Sequence, residues 1–223
     1  MTSVLPNNPH ALTSPRHAAW RVEGDTSMRT LGYFIGTFAM ALILGIGSAW
    51  YMIERGSPLT TVKAGPWESW LSEGNPHADP YTKAHLARSG RLPLTSTAAR
   101  YFVAHADDLG SSLTSSCDYL IVGSPLNARW WSLAVYDDYG ALIDNPSGRH
   151  SFNSEEAIRR ADGTFHVTLA RNARPENWLP SGTEHGRGLT LMLRVYGPRD
   201  TDVLGIGQIP VERLPKIERG ACE

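Results

Sequence analysis

The sequence predicts a mainly β protein: a jelly-roll-like antiparallel β-sandwich with helices packed at its N-terminal start, preceded by a single transmembrane helix. Three observations carry this reading. Residues 31–53, LGYFIGTFAMALILGIGSAWYMI, contain no Asp, Glu, Lys, Arg or His, and about 20 such residues span a hydrocarbon core. Beyond Cys117 apolar residues recur at every second position, as in strands with one buried face. Turn-prone clusters separate those runs, and no βαβ alternation suggests a parallel sheet.

Residues 1–30 carry prolines at 6, 9 and 15 and no sustained apolar period, so they read as a flexible cytoplasmic tail that buries too little surface to offset chain entropy. The apolar run comes next. Tyr33 and Phe34 flank one end and Trp50 and Tyr51 the other, where amphipathic rings favour the interface. Gly47-Ser48-Ala49 resembles a signal-peptide cleavage site, but a signal peptide has a short basic start and an apolar run of about 7 to 15 residues. Arg16, Arg21 and Arg29 precede the run, with Arg55 and Lys63 behind it; this bias puts the N-terminus in the cytoplasm and everything after Ile53 outside it. Gly32 and Gly36 form GxxxG, with Ala41, Gly45 and Ala49 continuing the small-residue spacing that would let two such helices pair into a homo-oligomer.

Residues 54–66, rich in Gly, Ser, Thr and Pro, read as a linker, and the folded domain is expected over 67–223. Asp79 as cap, Pro80 at the first position and Gly90 as terminator predict a helix over residues 80–89. A second helix is expected from 96 to 109, with Ala98, Tyr101, Phe102, Ala106 and Leu109 on one side. Strands come after it: Trp131, Leu133 and Val135 alternate with Trp130, Ser132, Ala134 and Tyr136. Phe165, Val167 and Leu169 do the same, as do Leu189, Leu191, Leu193 and Val195. A short helix is expected around 154–160.

The 21 basic and 22 acidic residues leave a net charge of −1, which favours neither a nucleic acid nor an anionic surface. The two cysteines exclude four-sulfur zinc sites and knottin-like frameworks. In an oxidising compartment Cys117 and Cys222 favour a disulfide. The eight histidines are scattered. His77, Asp79 and His85 straddle a helix start rather than facing one centre, and His105 with Asp107 and Asp108 reads as a solvated helix end, so no metal or other cofactor is expected. GxSxG and Cys-His signatures are absent, and the adjacent carboxylates Asp137/Asp138 and Glu155/Glu156 read as turn or helix-start residues facing water. The candidate ligand or partner surface comprises Trp130, Asn145, Arg149, Trp178 and Arg194, in which an exposed Trp beside Asn or Arg suits a sugar ring or a peptide.

Several motifs in series, Gly65-Pro66-Trp67, Ala78-Asp79-Pro80-Tyr81, Trp130-Trp131-Ser132-Leu133, Asn177-Trp178-Leu179-Pro180 and Leu193-Arg194-Val195-Tyr196-Gly197-Pro198, resemble bacterial domain-of-unknown-function family 1214, in its short membrane-anchored form, over residues 65–222. The resemblance implies a jelly-roll-like sandwich, a cell-envelope setting and the company of a family 1254 protein; it implies no reaction. Ser181 departs from it, since alanine and proline are expected after Asn177-Trp178-Leu179-Pro180. The expected function is therefore an envelope-anchored, non-catalytic domain that binds a protein partner or an envelope glycan. The rival is a hydrolase whose catalytic residues are dispersed over strands.

Overall fold

The computed structural model describes residues 24–198 and 214–222. The tail expected at residues 1–30 lies outside them up to residue 23; residues 24–30 are helical. They open α1, Gly24–Arg55, of which Ser27–Arg55 is long and apolar enough to cross a membrane. Phe34, Phe38 and Ile43 are exposed, so this helix is not apolar because it fills a protein core. The Thr37 and Ser48 hydroxyls donate back to the Tyr33 and Gly45 carbonyls (2.8 and 3.1 Å), which satisfies their polar groups within the helix. The chain divides into two compact units, Met1–Ser48 and Ala49–Glu223.

Beyond the end of α1, the second unit contains β1 (Thr61–Ala64), β2 (Trp67–Trp70), α2 (Pro80–Ser89), β3 (Ala99–Ala104), β4 (Cys117–Gly123), β5 (Ala128–Asp137), β6 (Ser151–Asn153), β7 (Phe165–Ala170), β8 (Trp178–Pro180), β9 (Leu189–Pro198) and β10 (Lys216–Cys222). They form a six-stranded sheet ordered β1-β2-β3-β9-β5-β6 and a four-stranded sheet ordered β10-β4-β7-β8. Alternate residues of both sheets meet in one core, including Trp67, Phe102, Trp131, Leu133, Val135, Phe165, Val167, Leu191, Leu193 and Ile217. Trp131 of β5 stacks on Phe165 of β7 with ring centroids 4.4 Å apart, across the two layers. Gly123 permits that arrangement, because a Cβ there would lie 2.0 Å from Phe165 Cζ.

The expected cap and terminator of α2 are present. Asp79 Oδ1 accepts from the Tyr81 and Thr82 amides (both 3.0 Å), and Gly90 takes φ 64°, the left-handed conformation that glycine adopts without a Cβ penalty. Burial alone would raise the Asp79 pKa, but the Thr82 and Tyr81 hydrogen bonds to its carboxylate hold it below the ordinary value.

Four expectations are corrected. The helix expected at 96–109 is β3 and a loop: Phe102 and Ala104 enter the core, while Tyr101 and Val103 line a cleft on the other face. Both faces are therefore apolar, which mimics a helical stripe. Residues 54–66 are more than a tether, since they include the end of α1 and β1, which pairs with β2 at Val62↔Ser69. Residues 154–160 form a turn. Asn153 Oδ1 accepts from the Glu155 and Glu156 amides (2.9 and 3.1 Å), but the Ile158 amide donates to Asn177 Oδ1 (2.8 Å), which diverts the backbone before a helix can propagate. Finally, the sheets are not wholly antiparallel: Trp178 lies in β8, which runs parallel to β7.

Cys117 and Cys222 face each other across β4 and β10 and form a disulfide (S–S 1.96 Å) closing 105 residues. The pair Asp107 and Asp108, expected to be solvated, anchors the same C-terminal strand. Arg219 Nε lies 2.8 Å from Asp107 Oδ2, and the Ile217 amide donates to Asp108 Oδ2 (2.9 Å).

Candidate functional site

The outward residues of four adjacent strands follow from the period-two rule: Glu68 and Trp70 of β2, Tyr101 and Val103 of β3, Thr190, Met192, Arg194 and Tyr196 of β9, and Tyr136 of β5. Together they floor a cleft of about 730 Å³. Its walls are the end of α1 at Glu54, the segment 89–94 after α2, and the β5 hairpin at 137–140. Register places Tyr101 opposite Arg194, and Arg194 Nη2 donates to the Tyr136 hydroxyl (2.6 Å). Burial, and then the neighbouring Tyr101, push the Tyr196 phenol above its ordinary pKa, so it remains a neutral donor and acceptor.

One wall contains a polar chain that no linear motif announced. Glu73 is 6% exposed, with Oε1 3.7 Å from Arg91 Nη1. Burial raises the Glu73 pKa, and Arg91 only partly offsets this. Arg91 Nη2 in turn lies 2.8 Å from His85 Nε2, and His85 Nδ1 lies 2.9 Å from the Ile53 carbonyl. A guanidinium can only donate and a carbonyl only accept, so His85 is the neutral Nδ1–H tautomer. Burial also lowers its pKa. Its ring stacks on Trp70 at 4.1 Å. On the other side of the floor His105 Nδ1 is 3.0 Å from Thr190 Oγ1, and burial again lowers the histidine pKa.

The residues proposed from sequence do not form one surface. Arg194 lies in this cleft. Trp130 is on the same sheet face, 5.1 Å from the Tyr196 ring. Asn145 and Trp178 line a second cleft, of about 480 Å³, with Arg171 and Gly182. Trp178 Nε1 there donates to the Ala170 carbonyl (2.9 Å). Arg149 is engaged within its own loop, its guanidinium 4.5 Å over the Phe152 ring and its amide donating to Asn145 Oδ1 (3.1 Å). Of the histidine group weighed for metal, Asp79 is the cap of α2 and His85 belongs to the polar chain; among the described residues no three His, Cys, Asp or Glu side chains converge.

Residues 98–200 match the family described as "Protein of unknown function (DUF1214)". Over this stretch, a little under half of the chain, it is similar to that family. Among solved structures it is similar to the VPA0106 protein of Vibrio parahaemolyticus, at 24% identity and a TM-score of 0.52, over 65% of this chain and 36% of that one. An uncharacterised protein of Burkholderia cenocepacia aligns at 18% identity and a TM-score of 0.36, over 56% of this chain and 30% of that one. The chain thus spans about a third of the length of the structures it resembles. No curated protein matches it.

Within the family match fall Tyr101, His105, Tyr136 and Arg194, but Glu73, His85 and Arg91 precede it. Glu73 and Arg91 were missed from sequence and His85 was weighed only as a metal ligand, because the three lie before, after and within α2 and meet only through the fold. The signal that could have found Tyr101 and Arg194 was the outward half of each period-two strand: a half that carries Tyr, Trp, Met and Arg is not simply facing water.

Proposed function

We propose that the chain is a membrane-anchored binding protein of the bacterial envelope, whose β-domain stands in the periplasm and holds an envelope glycan in the cleft over the six-stranded sheet. The observation that carries this is the cleft's floor, where Tyr101, Tyr136 and Tyr196 surround Arg194. Aromatic rings supply apolar faces for sugar rings, and a guanidinium already oriented by Tyr136 supplies directed donors. The Cys117–Cys222 bridge supports an oxidising compartment, and the arginines ahead of α1 support a cytoplasmic N-terminus. Pairing of two copies through Gly32 and Gly36 and company with a family 1254 protein belong to the same proposal.

The test has two arms. An alkaline phosphatase fused after Glu223 is active if the domain is periplasmic and inactive if it is not. Full-length protein in nanodiscs, screened against peptidoglycan and lipopolysaccharide fragments, binds a glycan saturably under this reading; capture of a family 1254 partner from native membranes without any glycan binding replaces the ligand by a protein.

Glu73 favours a second reading, a hydrolase. A buried carboxyl with a raised pKa in the same cleft as Glu68 is the usual setting of a general acid. Glycan turnover that Glu73→Gln abolishes would select it.

A further inference from the structure

The segment after α2 has an unusual surface. Leu92 is 96% exposed and Leu94 50% exposed, and both rim the cleft beside Pro93. Between residues 89 and 96 the one charged side chain is Arg91, and it is turned inward to Glu73 and His85. The segment thus offers solvent two leucines, a proline and no free charge, where water-facing loops are ordinarily polar.

Its position is set by α2. The apolar run of α1 ends at Ile53, which puts Trp50 and Tyr51 at the headgroup level of any membrane that α1 crosses. His85 of α2 bonds to the Ile53 carbonyl. One turn later Arg88 pairs with Glu54 and lies 4.3 Å over the Trp50 ring. His85 and Arg88 thus hold α2 against the last turn of α1, between Trp50 and Glu54, and residues 91–94 follow directly after α2. An arginine at that depth keeps its guanidinium at the phosphate level while its stem lies along apolar surface.

We propose that residues 91–94 are a second membrane contact, with Leu92 and Leu94 seated in the interfacial layer of the leaflet from which α1 emerges. The partner is the bilayer itself. Its covalent link to the segment through α1 and the Arg88–Trp50 contact is what selects it over a protein. The inference rests on α1 spanning the membrane, and the test separates the two.

Full-length protein, its native cysteines bridged, is reconstituted into vesicles of phosphatidylethanolamine and phosphatidylglycerol. Three variants, Leu92→Cys, Ile43→Cys and Ile158→Cys, each carry an environment-sensitive fluorophore. Ile43 lies in the span; Ile158 is an exposed apolar residue of the β6–β7 turn. The expected result is quenching by lipid-borne doxyl groups at positions 43 and 92, with aqueous iodide quenching position 158 severalfold more than position 92. Lipid quenching at 43 together with behaviour at 92 that matches 158 overturns the second contact and leaves the span intact. Absence of lipid quenching at 43 overturns the span, and the inference with it.

Discussion

Arg91 Nη2 donates to Nε2 of His85 across 2.8 Å, and this one contact fixes the imidazole as a neutral acceptor on its cleft side. Its other nitrogen must then carry the proton toward the Ile53 carbonyl. The end of α1, helix α2 and the buried Glu73 are joined through one tautomer.

The pH dependence of stability follows from that arrangement. His85 and His105 both have folded pKa values below the ordinary 6.5, chiefly through burial. As pH falls the unfolded chain takes up their protons first, so their stabilisation is complete above about pH 6.5 and is lost as pH falls toward the folded values. Glu73 acts in the opposite sense, because its raised pKa costs stability as pH rises above the ordinary carboxylate value. Thermal melts of the full chain in nanodiscs should show a lower Tm at about pH 5.5 than at about pH 7.5. His85→Gln should shrink that difference and Glu73→Gln should enlarge it; a Tm that rises on acidification contradicts the assignment.

The disulfide is a separate lever. Closing a loop of 105 residues removes unfolded-state entropy on the order of 4 to 5 kcal/mol in the chain-entropy model. Urea unfolding of the double variant Cys117→Ser, Cys222→Ser should show a loss of that order. Non-reducing mass spectrometry of the native protein should find no alkylatable thiol, and two would refute the bridge.

Ser181, the departure from the family's pattern, is fully buried, and its hydroxyl has no hydrogen-bond partner among the described residues. A buried unpaired hydroxyl costs about 1 kcal/mol or more. Ser181→Ala should therefore raise Tm by about 2 to 4 °C in a chain of this size. A drop would mean that the hydroxyl has a partner.

Gly123 and Phe165 should behave as a coupled pair. Gly123→Ala drives a methyl into the Phe165 ring and should cost about 1 to 3 kcal/mol, as overpacking does. In a Phe165→Leu background the same change should cost less, and a double-mutant cycle by chemical denaturation measures the difference. Additive effects would show that the ring moves aside freely.

How far the sequence disclosed this architecture depended on how different the two faces of each element are. In β7 and β9 Val167 and Leu193 alternate with His166 and Arg194, so the buried half was evident. In β3 residues 101–104 are apolar or aromatic on both halves, because one half meets the core and the other a cleft, and the period was lost. The strand β8 was missed for another reason: it has three residues, too few to show a period. The cleft was legible at Arg194 and hidden at Glu73 and Arg91, whose meeting with His85 depends on the fold around α2.

Whether Arg194, held by Tyr136 among tyrosines, reads a glycan is tested most directly by isothermal titration. The best-binding envelope glycan fragment is titrated into the full chain in nanodiscs, wild type against Arg194→Ala. Loss of hydrogen bonds from a charged donor costs about 1.5 to 3 kcal/mol, so the variant should bind about tenfold more weakly or worse with its melting behaviour unchanged. Equal affinity in the two proteins, or no saturable binding to the wild type, contradicts the proposed role.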